Sequence, residues 1–427
     1  MLLGMDDTDS PNGMCTTYLG AMLADNLMRA GYTVCDLRLL RLNPNVVWKT
    51  RGNAAVCLEV SSGTPEEVFD AACELVEAFA EFDCENTNPG VVVVNERPDQ
   101  AFYYQALQRF CTIDETVQRL EKIGALYRGY KCGRGLIGAL AAVSSVLPDA
   151  TYELLAYRSV EKFGKPREIE QESFFASAAA TFPHTWDTVD PSAGTVICVP
   201  HGKDPVLYGI RGESPDWVKR SAELLISEPP AFSRIWKTNQ GTDAHLLKYD
   251  GKPQEGLSYW IDGVAYGCPM TVCGGHVWFT FLPDAGGDLL TVFAFEPTKE
   301  FRHTVRKLQS GDRLTLCGSW RNNALHLEKF RADALTRAWK LKSLKCPVCG
   351  GRITSAGYGK GYKCRSCSGR IREVEAIEQQ RGITIGWYEV PPGARRHLAK
   401  PIARIHEEKD DGKDNTTDNT TQHQRDT

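Results

Sequence analysis

The sequence predicts a multidomain α+β chain: an α/β catalytic body, then an OB-type β-barrel, then a C-terminal zinc ribbon. Three observations carry this. At 427 residues the chain exceeds the size at which one hydrophobic core keeps growing, so roughly two to four domains are expected. Residues 259–330 form short β-rich runs broken by Gly and Pro, whereas the preceding residues alternate strand-like and helical spacing. Near the end, Cys346, Cys349, Cys364 and Cys367 form two CxxC pairs separated by fourteen residues.

Each element follows from local pattern. Residues 1–5 are apolar and strand-like, a polar Asp/Ser/Asn/Gly stretch follows, and 17–30 has helical spacing closed by Gly31. A strand leading through a loop into a helix often builds a site. Residues 54–60 alternate as a strand, Thr64-Pro65-Glu66-Glu67 caps a helix to about Phe82, and 91–94 reads as a second strand. Gly133-Arg134-Gly135 opens an Ala-rich helix ending near Pro148, and 195–200 is strand-like. The runs 291–295, 313–317 and 324–330 belong to the barrel. From Glu407 to Thr427 the Asp, Asn and Thr tail reads as disordered.

Hydrophobic content of 42% and charged content of 24% are ordinary globular values. No apolar run approaches the roughly 20 residues that span a bilayer, so no membrane association is expected. An N-terminus that is apolar for five residues and then acidic fits neither a signal nor a transit peptide, which predicts a cytoplasmic location. Most of the fifteen cysteines stand alone in apolar stretches such as Val56-Cys57-Leu58 and read as buried thiols in a reducing compartment. The net charge of −4 conceals an asymmetry, because residues 337–406 carry fifteen Lys or Arg against four Glu while 1–336 sum to −11. A basic end on an acidic body suits a polyanionic partner; no protein partner is predicted.

Four thiolates at the CxxC spacing enclose one tetrahedral Zn²⁺ and leave no position for water or substrate, so the ion is structural; free thiols or a redox pair are the alternative. Arg352, Lys363, Arg365 and Arg370, with Tyr358, Tyr362 and the barrel, read as a nucleic-acid grip, against a merely solvated charged face. At the other end, Asp6, Asp7 and Asp9 directly follow the first strand. Clustered carboxylates repel one another unless a hard cation sits among them, and Mg²⁺ shared with nucleotide phosphates meets that need. Thr16 and Thr17 lie at a helix start, where backbone N–H groups favour phosphate. An Asp-rich turn followed by a Thr cap is the bland alternative. Lys49, Arg51 and Asn53 add cations and an amide in a glycine-containing loop suited to phosphate oxygens. The Gly133, Gly135, Gly138 spacing reads first as backbone packing and second as a phosphate contact, and a Walker A sequence is absent.

Read in order, Gly4-Met5-Asp6-Asp7-Thr8-Asp9-Ser10, Gly13-Met14-Cys15-Thr16-Thr17-Tyr18, Arg41-Leu42-Asn43-Pro44 and Lys49-Thr50-Arg51-Gly52-Asn53 resemble the archaeal tRNA(Ile) 2-agmatinylcytidine synthetase family. Gly135-Leu136-Ile137-Gly138-Ala139, Thr151-Tyr152-Glu153-Leu154, Leu207-Tyr208-Gly209-Ile210-Arg211-Gly212-Glu213, the barrel and the cysteine pairs extend the resemblance over about residues 1–400. It implies a kinase-like catalytic domain (1–55 and 130–255) interrupted by a ferredoxin-like domain (56–129), an OB-fold (256–335) and a zinc ribbon with basic C-terminal segment (340–400). The implied activity is ATP-dependent ligation of agmatine to C2 of the wobble cytidine in the isoleucine tRNA with a CAU anticodon, releasing AMP and phosphate. The resemblance implies that Thr16 is phosphorylated and that Asp6, Asp7 and Asp9 serve catalysis with ATP, Mg²⁺ and structural Zn²⁺. Agmatine is dicationic, so Asp149, Asp187 and Asp190 are candidates to hold it. Two alternatives stay open: another ATP-dependent tRNA-modifying kinase, and a non-catalytic OB/zinc-ribbon tRNA-binding protein.

Overall fold

A nine-stranded sheet spans the first part of the chain, in the computed structural model that describes residues 1–49, 52–342, 345–357, 359–372 and 375–405. Arg51, Tyr358 and the tail 407–427 lie outside the described residues. The elements β1 (Leu2–Asp6), α1 (Thr16–Arg29), β2 (Val34–Arg41), β3 (Ala54–Val60), α2 (Pro65–Phe79), β4 (Gly90–Val94), α3 (Ala101–Gln108), α4 (Ile113–Lys122) and β5 (Leu126–Gly129) come first. Their strands lie in the order β5-β4-β1-β3-β2. Then follow α5 (Gly135–Val143), β6 (Thr151–Tyr157), α6 (Gln171–Thr181), β7 (Thr185–Trp186), a small hairpin β8 (Val189–Asp190) and β9 (Thr195–Val196), β10 (Val206–Gly212), α7 (Pro215–Glu223) and β11 (Phe232–Thr238). Here the strand order is β11-β6-β10-β7, and β11 runs parallel to β2 to join the halves.

Burial on both faces explains the composition of the central strands. In β1, Leu3 and Met5 pack into the core beneath α1 and α2, while Leu2 faces the opposite core of α3, α4 and α5. Strand β4 divides its four valines the same way, with Val91 and Val93 on one side and Val92 and Val94 on the other, as the period of two requires. The capping box of α2 is formed as its sequence predicts: the Glu67 N–H donates to the Thr64 hydroxyl and the Thr64 N–H to the Glu67 carboxylate.

The sheet departs from the expected interruption at 56–129. The boundary at residue 56 falls inside β3, and β1 pairs with β3 on one side and β4 on the other. These strands share their cores with β1 and form no sheet of their own. Local pattern does not show that these strands join the first one, because the partners of β1 begin only at Ala54 and Gly90, far along the chain. The expected strand at 195–200 shortens to β9, because the N–H groups of Ile197 and Cys198 both turn to the Thr188 carbonyl.

After β12 (Leu246–Lys248), strands β13 (Ser258–Thr271), β14 (Val277–Pro283), β15 (Leu290–Ala294), β16 (Arg313–Arg321) and β17 (Ala324–Ala334) close a five-stranded barrel in the order β13-β14-β15-β17-β16. Ile261, Phe279, Phe281, Val292, Leu314, Leu316 and Phe330 fill it. The zinc ribbon follows: β18 (Ala338–Leu341) pairs with β22 (Ala376–Gln379), enclosing β19 (Ile353–Ser355), β20 (Tyr362–Cys364) and β21 (Arg370–Ile371). The chain then returns, because β23 (Gly386–Glu389) pairs with β17. Residues 386–405 are therefore a strap on the barrel and sheet, and the ribbon loops out between β17 and β23. Among the described residues, no helix is long and apolar enough to cross a membrane.

Candidate active site

The loop between β1 and α1 lines a cleft of about 380 Å³, the size of a small-ligand site. Asp6, Asp7, Asp9, Thr16, Thr17, Lys49 and Asn53 all face it. Arg51 lies outside the described residues. Residues distant in sequence complete the walls: Arg41, Arg109 and Arg134 from the first half, Glu153, Asp204 and Arg211 from the second, and His397 from the strap.

Close helix–strand packing sets the carboxylates in place. A Cβ on Gly138 would lie 1.8 Å from the Asp6 carboxylate, and one on Gly135 would lie 2.4 Å from the Gly90 nitrogen and 2.8 Å from the Asp6 carbonyl oxygen. On the facing strand, a Cβ on Gly4 would come 2.2 Å from the Ala139 carbonyl. The glycine spacing thus serves backbone packing: α5 presses against β1 and β4 until Asp6 has no room to turn away. The loop beyond is held strained, with Asp7 at φ 59° and Met14 at φ 59°, a conformation costly for side-chain-bearing residues. Contacts to the α2–β4 connection fix it: Thr87 donates to the Asp9 carbonyl at 2.6 Å, the Glu81 N–H to the Thr8 carbonyl at 3.2 Å, and the Asn88 N–H to the Asp7 carboxylate at 3.1 Å.

Burial and mutual repulsion change the charge of these groups. Asp6 is raised well above the usual carboxylate range, first by burial and then by Asp7 and Asp9. Burial lifts Asp7 to about 7, opposed by the Asn88 hydrogen bond and by Arg134, whose Nε lies 3.9 Å away. Such a pair favours a hard cation shared with phosphate oxygens rather than a closed protein cage. Among the described residues, the sole group of three or more ligands within reach of one ion is the cysteine quartet. Thr16 opens α1 and is buried; its hydroxyl accepts from the Thr8 hydroxyl at 3.1 Å. Helix α1 carries no acid in its first turn, leaving its N-terminal dipole available to an anion.

None of the three carboxylates expected to hold agmatine lines the cleft. Asp149 pairs with Lys400 at 3.0 Å and Arg404 at 2.8 Å. Asp190 caps its own turn through Ser192 and accepts the Gly393 N–H. The Asp187 side chain, 5% exposed, lies between Arg395 and Arg211. Their partners come mostly from the strap, some 200 residues downstream, so local sequence gives no hint of them. Asp187 does act on the cleft indirectly: Arg211 reaches Asp187 at 3.4 Å, Glu153 at 3.2 Å and the His397 Nδ1 at 2.7 Å. Desolvation in the cleft wall, then Arg41, Arg211 and Lys49, hold that imidazole well below its ordinary range, so the neutral ring accepts from Arg211. Glu153, also bonded by Gln240 at 2.7 Å, and Arg211 were missed as site residues although both stand in the quoted family motifs; His397 stands in none.

The cysteine quartet fits zinc. The four Sγ atoms lie within 4.8 Å of one another, with Cys346–Cys367 at 3.8 Å and Cys349–Cys364 at 3.5 Å. The edge of a tetrahedron with Zn–S bonds of 2.3 Å is about 3.8 Å. The N–H groups of Val348 and Ser366 point at Cys346 and Cys364 at 3.4 Å, the knuckle geometry that supports thiolates.

Comparison with known proteins extends this picture. Family models of the TiaS TCKD domain match residues 2–69 and 59–132, of the TiaS FLD domain 133–245, and of the TiaS C-terminal zinc ribbon domain 345–383. The chain is 62% identical over 406 residues to the isoleucine-tRNA 2-agmatinylcytidine synthetase TiaS of Methanocorpusculum labreanum, covering 95% of this chain and 97% of the relative. It is 42% identical over 417 residues to the protein of that name from Methanosarcina acetivorans, at 95% and 97% coverage. The solved complex of TiaS with its isoleucine tRNA and ATP superposes with a TM-score of 0.88 at 39% identity, covering 95% of this chain and 98% of that one. The complex of TiaS with the same tRNA, AMPCPP and agmatine does so at 0.86 and 37%, with 95% and 98% covered.

The raised Asp7 makes a stability prediction. A carboxyl held near 7 in the fold and near 3.8 when unfolded contributes stability that is present below about pH 4 and lost as pH rises through 7. In protein freed of divalent cations, Asp7→Asn is expected to raise the melting temperature at pH 8 by at least about 2 °C and to change it little at pH 4. Scanning calorimetry at the two pH values checks this, and equal shifts at both would rule out titration of Asp7 as the cause.

Proposed function

The chain belongs to the isoleucine-tRNA 2-agmatinylcytidine synthetase family, and on that premise we propose that it ligates agmatine to C2 of the wobble cytidine of the AUA-decoding isoleucine tRNA, converting ATP to AMP and phosphate. The observation that carries this reading is the convergence in one cleft of the half-buried Asp6 and Asp7, the Thr16 hydroxyl and the guanidiniums of Arg41, Arg134 and Arg211. The relatives' complexes with isoleucine tRNA, ATP and agmatine support it.

The amide-like cytosine carbonyl is a poor electrophile. In the proposed reaction its oxygen attacks a phosphorus of ATP, the P–O bond to the nucleotide breaks, and the carbonyl oxygen becomes a phosphate ester. The agmatine amine then adds at C2, and phosphate departs with that oxygen. Bound Mg²⁺ would supply neutralisation of the phosphate charge, held by Asp6, Asp7 and Asp9. Lys49 and Arg51, with Arg41 and Arg134, neutralise the phosphate oxygens, and Thr17 and Asn53 donate hydrogen bonds to them. The second phosphoryl group lost on the way to AMP goes to the hydroxyl of Thr16, already at a helix N-terminus that favours anions; AMP leaves as that P–O bond breaks, and water then releases the group from Thr16 as a second phosphate. For agmatine we assign the carboxylates Glu153 and Asp204, which line the cleft, in place of Asp149, Asp187 and Asp190, which do not. Asp187 and His397 position Arg211.

The architecture supports a division of labour. We assign kinase-like phosphate handling to the part built on β1–β5 and a ferredoxin-like plait to residues 151–238. The support is the path β6-α6-β7-β10-α7-β11 with sheet order β11-β6-β10-β7, the split βαβ pattern. The closed barrel, with first-to-fifth strand order 1-2-3-5-4, supports an OB-type RNA platform, and the basic ribbon supports a grip on RNA backbone.

Incubation with ATP, agmatine and isoleucine tRNA transcript, followed by mass spectrometry of nucleosides, tests the reaction. Agmatinylcytidine is expected; a phosphorylated nucleoside alone would favour another kinase-type modifier, and unchanged cytidine despite tRNA binding would favour a non-catalytic RNA-binding protein. Thr16→Ala is expected to lower product by roughly 100-fold or more with tRNA affinity retained, and full activity would remove Thr16 from the chemistry. Zinc removal by chelation is expected to weaken transcript binding about tenfold or more at fixed salt while ATP binding persists, because the ribbon loops out from the barrel. Equal loss of both affinities would contradict that separation.

A further inference from the structure

The cleft mouth carries two aromatic rings that no catalytic step uses. Trp48, in the loop between β2 and β3, is 52% exposed, and Phe110, just after α3, is 42% exposed. Both line the cleft, with ring centroids 6.5 Å apart and planes at 77°. Single exposed apolar side chains are ordinary, but two aromatic rings in contact on the wall of a cleft form a contiguous patch, and that is a feature to explain.

Hydrogen bonds tie its foundation together. The Asn43 side-chain amide donates to the Arg109 carbonyl at 3.2 Å and to the Gly256 carbonyl at 3.3 Å, joining the root of the Trp48 loop, the α3 end and the start of the barrel. Phe110 lies against that barrel start: a Cβ on Gly256 would come within 2.4 Å of its ring. The platform therefore spans the junction between cleft and barrel.

The charge around it is positive. Lys49 and Arg109 line the same cleft. Burial, then the guanidiniums of Arg396 and Arg321, push the Lys49 ammonium down, and the same two guanidiniums act on His326 of β17. Exposed π-faces among cations, at the edge of a phosphate-handling cleft, match single-stranded nucleic acid, in which bases stack on rings while cations meet the backbone.

We propose that Trp48 and Phe110 form a stacking subsite for an unpaired base next to the reacting cytidine, holding the anticodon loop splayed so that the target base enters the cleft. This rests on the proposed RNA-modifying function. The perpendicular rings let one base stack on the indole face while Phe110 closes its edge, and Arg109 meets the adjoining phosphate.

The test uses zinc-loaded full-length enzyme and tRNA transcript. Wild-type protein is assayed first: failure to bind transcript would defeat the functional reading and this inference with it. Given binding, Trp48→Ala and Trp48→Leu are expected to weaken affinity roughly five- to 150-fold, the range of a lost base–aromatic stack, and Trp48→Phe is expected to restore most of it. Anticodon-loop bases are then replaced one at a time by abasic residues. At one position flanking the cytidine, Trp48→Ala should cost nothing further, while at the others its full penalty remains. Affinity within twofold of wild type for Trp48→Ala, or a penalty unchanged by every abasic replacement, would overturn the proposal and leave the functional reading intact. A Trp48→Leu variant that binds like Trp48→Phe would likewise overturn it, because apolar bulk rather than a π-face would then suffice.

Discussion

The contact between α5 and β1 is the constraint on which the rest of the site depends. Glycines on both sides bring helix backbone to strand backbone, and the Asp6 carboxylate fills the space where a Gly138 side chain would stand. Pressed between helix and loop, Asp6 and Asp7 are desolvated side by side and hold their protons far more tightly than free carboxylates. The fold thus carries an unfavourable charge arrangement that phosphate-bound cation would relieve. A strained Asp7 backbone is maintained for the same purpose, anchored by Asn88 and Thr87 from the connection into β4.

The opposite wall depends on a different tie. Strand β11 joins the halves of the sheet by running parallel to β2, which puts Glu153 and Arg211, from β6 and β10, across the cleft from the acidic loop. The strap 386–405 then locks this wall to the barrel. Arg395 meets Asp187 and Glu389, Arg396 meets Asn45, Ser319 and Glu328, and Arg404 meets Asp149 and Glu213. Several of these pairs are buried, where removing one partner leaves a costly uncompensated charge. Geometry of the cleft is therefore coupled to the barrel through the strap, which lies outside the ribbon.

Legibility in the sequence followed the range of each interaction. The strand, loop and helix at the start, the α2 capping box, the β-rich barrel and the paired CxxC motifs are short-range patterns, and the structure has them where the spacing predicts. The acidic loop and Thr16 lie within ten residues of β1, so their shared site was readable. Asp149, Asp187 and Asp190 read as candidates for agmatine because most of the partners that hold them, Lys400, Arg404, Arg395 and the Gly393 N–H, stand far along the chain. For the same reason β1 did not reveal that it would lie between β3 and β4, and His397, with no motif around it, gave no signal at all.

The proposed mechanism turns on where the cytidine oxygen goes. If the acidic cleft serves phosphoryl transfer to that oxygen, the atom must leave with phosphate. Transcript carrying ¹⁸O at O2 of the wobble cytidine, turned over with ATP and agmatine, decides this by mass spectrometry of the released products. The label is predicted in inorganic phosphate. Label in AMP would mean that the nucleotide's α-phosphorus is attacked instead, and label retained in the nucleoside would mean that the carbonyl oxygen is never a leaving group; either result would contradict the mechanism.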